Sequence, residues 1–434
     1  MSDFLDLLRN NRNYRSTWTG QVVSEVGDHF NNIAVFSLAL DHTRSGMVVT
    51  FIMLSRAIPA ICAGPFAGVV LDRFDRKRIM IASDLIRALV ALLFIYAIPR
   101  ENTWLLYPLS GLLMFASPFF TSGRSAILPT IASAGELHTA NSLTQTTQWT
   151  TLTIGAFLGG VSVKLGYEWA FFFNAMSFVF SALCISTLRA GPEGFRAPRT
   201  HGNEAVTEAN VVRPWHEYID GLRYIRSMPL IMGIVLIAVG WATGGGAAQI
   251  LFSLFGELVF HRGALGIGYL WGSAGIGLLI GGSFAHWLGK RIGFRGYKRA
   301  VAICYVLHGA SYVIFSQMKQ FWAAMFFIGL SRAAVAVSSV LNFSQLLKHV
   351  SNEFRGRVFS TMETMTWAMM MVSMAGAGIA SEHYSPRIIG AAAGVLSSTT
   401  AIFWGWANWQ GRLPEPVVEG VEPEEVEIHG DPVA

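Results

Sequence analysis

The segment GVVLDRFDRKR, Gly68 to Arg78, decides how this sequence is interpreted. It packs two aspartates and four basic residues into a few positions, between long stretches that carry hardly any charge. The whole chain of 434 residues has 14% charged and 52% hydrophobic residues, whereas soluble domains carry about 25% charged residues. A soluble protein of this length needs more charge to cover its surface. The segment is therefore expected to be a polar turn between two membrane helices.

On both sides of this turn the chain divides into apolar segments of membrane-spanning length. About 20 apolar residues cross the roughly 30 Å of hydrocarbon in a bilayer. The twelve predicted spans are residues 17–40, 47–71, 79–98, 104–122, 140–163, 168–188, 229–256, 265–288, 299–316, 320–345, 358–380 and 387–409. The sequence thus predicts an all-α polytopic membrane protein, with its twelve helices in two pseudo-symmetric six-helix bundles.

The positions of Lys and Arg predict the orientation, because cytoplasmic connections carry an excess of basic residues. The N-terminus, the tail and alternate connections together hold about 23 basic residues, although the connection after the fourth span holds only one of them. The other connections hold one basic residue each: Arg44, Arg100, Lys164, Arg262, Lys319 and Arg387. We therefore expect a multi-pass protein of the bacterial inner (plasma) membrane with both termini in the cytoplasm. Residues 72–78 are then a cytoplasmic turn.

The domain organisation follows from the apolar runs and the long polar connection between them. We expect an N-terminal bundle (1–189), a cytoplasmic linker with an amphipathic helix (190–228), a C-terminal bundle (229–410) and a disordered acidic tail (411–434). The helix in the linker is predicted because apolar residues such as Tyr218, Leu222 and Ile225 recur at helical spacing.

Several function classes have no support in the sequence. The net charge of +5 is spread over short clusters, which does not indicate nucleic acid binding. His29, His286 and His308 have no metal-ligand spacing, and no nucleotide-binding or catalytic motif is present. We expect a monomer without metal or cofactor that is not an enzyme, with membrane lipids, protons and a small amphipathic substrate as its partners.

The two halves repeat one feature. Gly64 to Arg78 joins a helix end rich in small residues to a basic turn, and Gly281 to Arg299 does so at the corresponding place in the second half. Small residues also recur in GAFLGG (155–160) and AGAGIA (375–380), where they allow close helix packing. Such parallel halves are typical of secondary transporters.

The turn resembles the signature of the major facilitator superfamily, roughly G-x-x-x-D-R-x-G-R-[RK]. Its matching positions are Gly68, Asp72, Arg73, Arg76 and Lys77, whereas Asp75 replaces the glycine. The stretches YRSTWTGQVVSEVGDHF, RSAILPTI, GLRYIRSMP and RGRVFSTMET resemble the branch of macrolide-efflux and enterobactin-exporter proteins.

This resemblance implies a conformational gate made by Gly68, Asp72, Arg73, Arg76 and Arg357. In the superfamily the turn locks the cytoplasmic ends of the bundles together when the cavity faces outward. Asp72 is then expected near Arg357, at the start of the eleventh span, where a helix N-terminus favours a carboxylate. Arg76 has an acidic partner in this interpretation, with Asp84 as one candidate. The alternative is that the basic cluster only sets the topology.

Ionisable residues inside the spans need a functional or structural reason, because each is costly in a bilayer. Gln21, Glu25, Asp28 and Asn32 lie on one face of the first span. Arg56 of the second span has a similar depth, so that Glu25 or Asp28 can pair with it. We predict proton coupling at Glu25, Asp28 and Arg56; the alternative is a permanent ion pair.

Polar and aromatic residues of other spans are candidates for the substrate site, with helix packing as the alternative for each. They are Asn31, Asn32, Gln145, Trp149, Gln249, Arg332, Glu363 and Trp367. For Glu363 a role in gating is an equal possibility, and Asp84 and Arg87 are expected to pair with each other. The sequence predicts a proton-coupled exporter of amphipathic small molecules (a drug, a macrolide-like compound or a siderophore) that works by alternating access. A lysophospholipid or lipid flippase, and a uniporter or channel-like protein without proton coupling, are the alternatives.

Overall fold

Helices account for nearly all of the described chain. The computed structural model describes residues 2–133, 136–189, 194–195 and 214–416. A short helix, α1 (Ser2–Asn10), comes first, and α8 (Pro214–Ser227) lies between the two halves. The first half contains α2 (Arg12–Thr43), α3 (Gly46–Arg73), α4 (Arg76–Leu93), α5 (Leu106–Ile131), α6 (Leu137–Ser162) and α7 (Tyr167–Ser186). The second contains α9 (Pro229–Leu254), α10 (Gly263–Gly289), α11 (Phe294–Gln317), α12 (Phe321–His349), α13 (Asn352–Ser381) and α14 (Pro386–Trp409).

Each of the twelve predicted spans coincides with one of these long helices, which makes the chain a multi-pass membrane protein. By length and composition, 9 helices of the described chain are apolar enough to cross a membrane. The three long helices outside this set are α2, α6 and α13. A polar side chain that faces lipid is energetically unfavourable. These three helices supply many of the polar side chains in the protein interior that is described below.

The two halves have the same helix packing. In the first half α2 packs against α6 and α7, α3 against α5, and α4 against α5 and α7. In the second half α9 packs against α13 and α14, α10 against α12, and α11 against α12 and α14. Each helix contact of the first bundle therefore has an equivalent in the second bundle, with α9 in the place of α2, α10 in the place of α3, and so on to α14 in the place of α7. The two pseudo-symmetric six-helix bundles predicted from the sequence are confirmed.

The bundles meet along two helix pairs, α3 with α13 and α6 with α10. At one end, called the closed end from here on, the backbones nearly touch. A Cβ atom added to Gly160 would lie 2.9 Å from the carbonyl oxygen of Ala264, and one on Gly268 would lie 2.9 Å from the Cα of Gly160. Only glycine allows this approach of α6 to α10.

Polar contacts between the bundles also lie at the closed end. The Ser45 hydroxyl donates to a Glu382 carboxylate oxygen at 2.7 Å. Ser37 donates to Glu257 at 3.5 Å, and Arg44 lies 4.0 Å from the same carboxylate. These contacts join α2 and the start of α3 to the ends of α9 and α13.

The opposite end, called the open end, has a looser contact between the bundles. The Asp72 side chain at the end of α3 is 75% exposed. A Cβ atom added to Gly64 or Gly68 would meet no atom within 4 Å, whereas one on Gly46, at the other end of α3, would meet Ser381 of α13 at 2.8 Å. The bundles are thus in contact at one end and separated at the other.

The connection between the halves packs against the second bundle. The Tyr224 ring of α8 stacks on Phe354 of α13 with 4.6 Å between the ring centroids, and Ile225 is buried. The amphipathic helix expected at the membrane surface therefore contacts the beginning of α13. Residues 196–213 of the predicted linker and 417–434 of the predicted tail lie outside the described residues. Leu413, which the sequence places in a disordered tail, is 4% exposed and packs in the core of the second bundle.

Replacement of Gly268 by leucine is expected to open the closed end. The new side chain must displace backbone atoms of α6, and such overpacking costs about 1–3 kcal/mol. A cysteine at Ser37, which is 2% exposed here, reports the change as faster labelling by a maleimide reagent, in a background from which the free thiols Cys62, Cys184 and Cys304 have been removed. The matched control is Gly376→Leu, because a Cβ atom there meets nothing within 4 Å. Equal labelling rates in the two variants would contradict this role of Gly268.

Candidate functional site

A central cavity of about 330 Å³ lies between the two bundles. Residues of α2, α3, α5 and α6 line one side, and residues of α9, α10 and α13 line the other. The lining residues are His29, Asn32, Ile33, Phe36, Met53, Arg56, Ala57, Ala60, Met114, Leu152, Ala156, Gln249, Trp271, Trp367 and Met374. Mostly apolar walls with a few polar groups suit an amphipathic small molecule.

Four of the predicted site residues line this cavity: Asn32, Arg56, Gln249 and Trp367. The guanidinium of Arg56 lies 5.8 Å from the centroid of the Phe36 ring. Among the described side chains it has no carboxylate within ion-pair distance. The Asn32 Oδ1 atom is buried and has no hydrogen-bond partner in the described chain. Unpaired polar groups in an apolar wall are costly, and a polar ligand is one way to satisfy them.

Glu25 lies beside the central cavity, on the side of the open end. His29, Asn32 and Phe36 follow it at helical spacing, so that all four share one face of α2. Gln21 Nε2 donates to Glu25 Oε1 at 2.7 Å, and the Thr151 hydroxyl donates to Oε2 at 2.7 Å.

The cation next to Glu25 is Arg124 of α5, with 3.7 Å between the guanidinium and Glu25 Oε1. This pair connects α2 to α5, while Thr151 connects the same carboxylate to α6. Arg124 is not among the residues predicted from the sequence, because the apolar run of the fourth span ends at residue 122. In the structure α5 continues to Ile131, which places Arg124 inside the helix. It therefore belongs to α5 and not to the connection that follows the fourth predicted span.

Asp28 belongs to a buried triad of charged residues. Arg87 Nη2 lies 2.9 Å from Asp28 Oδ2, and Arg87 Nη1 lies 3.1 Å from Asp84 Oδ1. The Arg87 side chain is 4% exposed and the Asp84 side chain 0%, whereas the Asp28 side chain is 23% exposed and forms the edge of the triad. The pair of Asp84 and Arg87 is as predicted. The pairing of Asp28 with Arg56 is wrong for this conformation, because α4 supplies the partner of Asp28.

A second cavity of about 430 Å³ lies within the second bundle. Its lining residues are Ile234, Ala238, Trp241, Tyr305, Val335, Ser339, Asn342, Phe343, Leu346, Phe359, Met362, Glu363, Thr366 and Trp367. Trp367 lines both this cavity and the central one. Glu363 is exposed and forms no ion pair with a described side chain, so that it supplies an unpaired carboxylate to the second cavity.

Three further predicted substrate residues, Asn31, Trp149 and Arg332, are not among the residues that line the central cavity. Asn31 is buried, and Trp149 packs on Gly282 at the contact of α6 with α10. Arg332 is 8% exposed and lies over the Phe252 ring at 5.3 Å, one aromatic layer behind the wall of the central cavity. The side chain of Gln145 is outside the described part of the chain.

The gate residues lie at the open end and do not meet across it in this conformation. Asp72 pairs with Arg76 at 3.8 Å and not with the start of α13, where Arg357 lies over the Phe354 ring at 5.2 Å. Arg76 also donates to the Ala126 carbonyl at 2.9 Å. The suggested pair of Arg76 with Asp84 is wrong for this conformation, because Asp84 is bound to Arg87. Gly68 and Arg73 are in the exposed end of α3.

Comparison with known proteins agrees with this architecture. The family model described as Major Facilitator Superfamily matches residues 17–373. The "Putative bacilysin exporter BacE" of Bacillus subtilis (strain 168) is 23% identical over 79% of this chain and 82% of its own. "Macrolide efflux protein A" of Streptococcus pyogenes is 23% identical over 86% and 90%. The "Uncharacterized MFS-type transporter YfiS" of Bacillus subtilis (strain 168) is 27% identical, but the match spans 54% of each chain.

Solved structures have a similar fold. The crystal structure of a bacterial homologue of iron transporter ferroportin in inward-facing state superposes with a TM-score of 0.67. The superposition covers 91% of this chain and 98% of that chain, at 15% sequence identity. This likeness concerns the fold and not the transported compound.

Proposed function

The chain belongs to the Major Facilitator Superfamily, and on that premise we propose that it is a proton-coupled exporter of amphipathic small molecules. It is a transporter and not an enzyme. The observation that carries the finer proposal is the position of Glu25, one helical turn from an apolar cavity that both bundles line. A titratable group and a binding site that lie on one face of a helix are exposed to the same side of the membrane when the bundles move.

The proposed mechanism is alternating access. With the open end toward the cytoplasm, as the basic turns require, the structure is the state that takes up substrate. Closure of that end brings Asp72 and Arg76 toward the start of α13, and separation of α6 from α10 opens the opposite end. In this proposal the protein lies in the bacterial inner membrane with both termini in the cytoplasm.

Glu25 is the proposed carrier of the exchangeable proton. It is held by Gln21 of its own helix, by Thr151 of α6 and by Arg124 of α5. The contacts to Thr151 and Arg124 change when α2 moves relative to α5 and α6, whereas the contact to Gln21 does not. Asp28 has a tighter environment, since Arg87 bridges it to a fully buried carboxylate. We assign Asp28 to positioning of α2 and Glu25 to proton exchange.

The proposed substrates are amphipathic compounds. Two relatives are named for the export of bacilysin and of macrolides. The apolar walls of the central cavity together with Arg56, Asn32 and Gln249 favour a molecule that combines an apolar body with polar groups.

The Glu25→Gln variant is expected to lose transport driven by a pH gradient and to keep substrate counterflow. Glutamine preserves the size and one acceptor oxygen but binds no proton. The measurement is uptake into proteoliposomes under an imposed pH gradient, with a panel of drugs, macrolides, siderophores and fluorescent lysophospholipids. Glu168→Gln, the same change at an exposed position, is the matched control.

Each other outcome contradicts a defined part of the proposal. Gradient-driven transport that survives in Glu25→Gln excludes Glu25 as the proton site. Transport of the panel that ignores the gradient in the wild type excludes proton coupling, as expected for a uniporter. Movement of lysophospholipids alone would identify a flippase.

A further inference from the structure

Two residues of opposite charge that form no ion pair with a described side chain lie in the two cavities that meet at Trp367. Arg56 is in the wall of the central cavity and Glu363 in the wall of the second. The other charged residues in the interior of the first bundle have partners: Glu25 with Arg124, and Asp28 and Asp84 with Arg87. Arg56 is the cation left over by this pairing.

The register of α3 and α13 gives the separation of Arg56 and Glu363 along the helix axes. These helices are antiparallel, with Gly46 against Ser381 and Thr50 against Gly378. Arg56 comes six residues after Thr50, and Glu363 comes fifteen residues before Gly378. The difference of nine residues corresponds to about 14 Å along the helix axes.

The surface between these charges is apolar and aromatic. Trp367 is one helical turn from Glu363 and faces both cavities, and Trp241, Phe359 and Met53 continue the apolar walls on either side of it. The combined shape is an elongated apolar tract with a carboxylate at the open end and a guanidinium at the inner end.

We propose, on the basis of the export function above, that the substrate is an elongated zwitterionic amphiphile. Its anionic group binds Arg56, its cationic group binds Glu363, and its apolar middle packs on Trp367. A separation of about 14 Å matches an extended peptide of about four residues, at roughly 3.5 Å per residue. A short hydrophobic peptide with free termini is the simplest molecule of this class.

The test is binding of an alanine–leucine tetrapeptide to the purified full-length protein in nanodiscs, measured by quenching of tryptophan fluorescence. The peptide is used in four forms: with free termini, N-acetylated, C-amidated and with both ends blocked. Amidation is expected to weaken binding about tenfold, because it removes a charge-assisted contact to Arg56. Acetylation is expected to weaken it about threefold, because Glu363 is exposed to solvent.

The variants assign each effect to one end of the tract. In Arg56→Gln the penalty of amidation disappears and that of acetylation remains; in Glu363→Gln the reverse holds. Arg56→Lys keeps the positive charge and retains the amidation penalty. Arg295→Gln and Glu168→Gln, the same changes at exposed positions, are expected to leave both penalties unchanged.

Two results overturn the proposal: equal binding of the blocked and the free peptide, or penalties that do not change in either variant. These results are separable from a failure of the export function. Proton-driven transport of the compound panel can persist when the peptide ends have no effect on binding. Conversely, the expected binding pattern can occur in a protein that ignores the pH gradient.

Discussion

A disulfide between cysteines placed at Ser45 and Glu382 is expected to abolish transport, and its reduction to restore it. The Ser45 hydroxyl lies 2.7 Å from the Glu382 carboxylate across the boundary of the two bundles. The adjacent positions Gly46 and Ser381 are in close contact, since a Cβ atom added to Gly46 would lie 2.8 Å from the Ser381 Cβ. The two backbones are therefore close enough for cysteines at positions 45 and 382 to be tested as a disulfide pair. The disulfide holds the two bundles together at the closed end. The central cavity can then open only at the opposite end, so that substrate cannot cross the membrane.

The experiment requires a background without Cys62, Cys184 and Cys304, which are free thiols. Transport in proteoliposomes is measured before and after oxidation, and again after addition of dithiothreitol. The single variants Ser45→Cys and Glu382→Cys serve as controls, since neither forms the bond. Binding of substrate from the open end is expected to persist in the oxidised protein. Full transport by the crosslinked protein would exclude the movement proposed for α3 and α13.

The sequence predicts the architecture well because the bilayer limits what a span looks like. Each span must be apolar over a fixed length, and the turn around Asp72 is recognisable because charge is rare elsewhere. The same turn recurs between α10 and α11, so the repeat indicates two equivalent bundles before any coordinate is known. The packing pattern of the two halves confirms this prediction.

The ion pairs are harder to predict, because the sequence gives the depth of a residue in the membrane but not the direction in which its side chain points or the helix that it faces. Arg56 and Arg87 both lie near the level of Asp28, and the sequence does not tell which of α3 and α4 the aspartate faces. The structure places Arg87 at 2.9 Å from Asp28 and leaves Arg56 to the cavity. A prediction of this choice needs the rotation of each helix and the order of its neighbours.

Arg124 shows a second reason for failure. Hydropathy detects the part of a helix that faces lipid, whereas the end of α5 packs against α2, α3 and α4 and need not be apolar. A span predicted only from its apolar run therefore ends too early when the rest of the helix is covered by other helices and contains polar residues. The central cavity has no sequence signal either, since it is a gap between bundles whose lining residues come from seven helices.

Replacement of Arg87 by methionine is expected to be the most destabilising single substitution in the first bundle. It leaves the carboxylates of Asp84, which is fully buried, and Asp28 without their cation. Loss of one partner from a buried ion pair costs about 3–5 kcal/mol, which exceeds a hundredfold change in the folding equilibrium. We expect little monodisperse protein on size exclusion and a strongly lowered melting temperature.

The matched control is Arg223→Met in α8. Arg223 pairs with Asp220 at the same spacing in sequence and at 2.9 Å, but its side chain is 75% exposed, and exposed pairs contribute at most about 1 kcal/mol. Addition of Asp28→Asn and Asp84→Asn to Arg87→Met removes the unpaired charges and is expected to restore folding in large part. A melting temperature of Arg87→Met equal to that of Arg223→Met would show that the triad does not stabilise the bundle. Failure of the triple variant to recover would mean that the contact of the Arg87 guanidinium with the Phe178 ring, 4.0 Å from its centroid, matters more than charge balance.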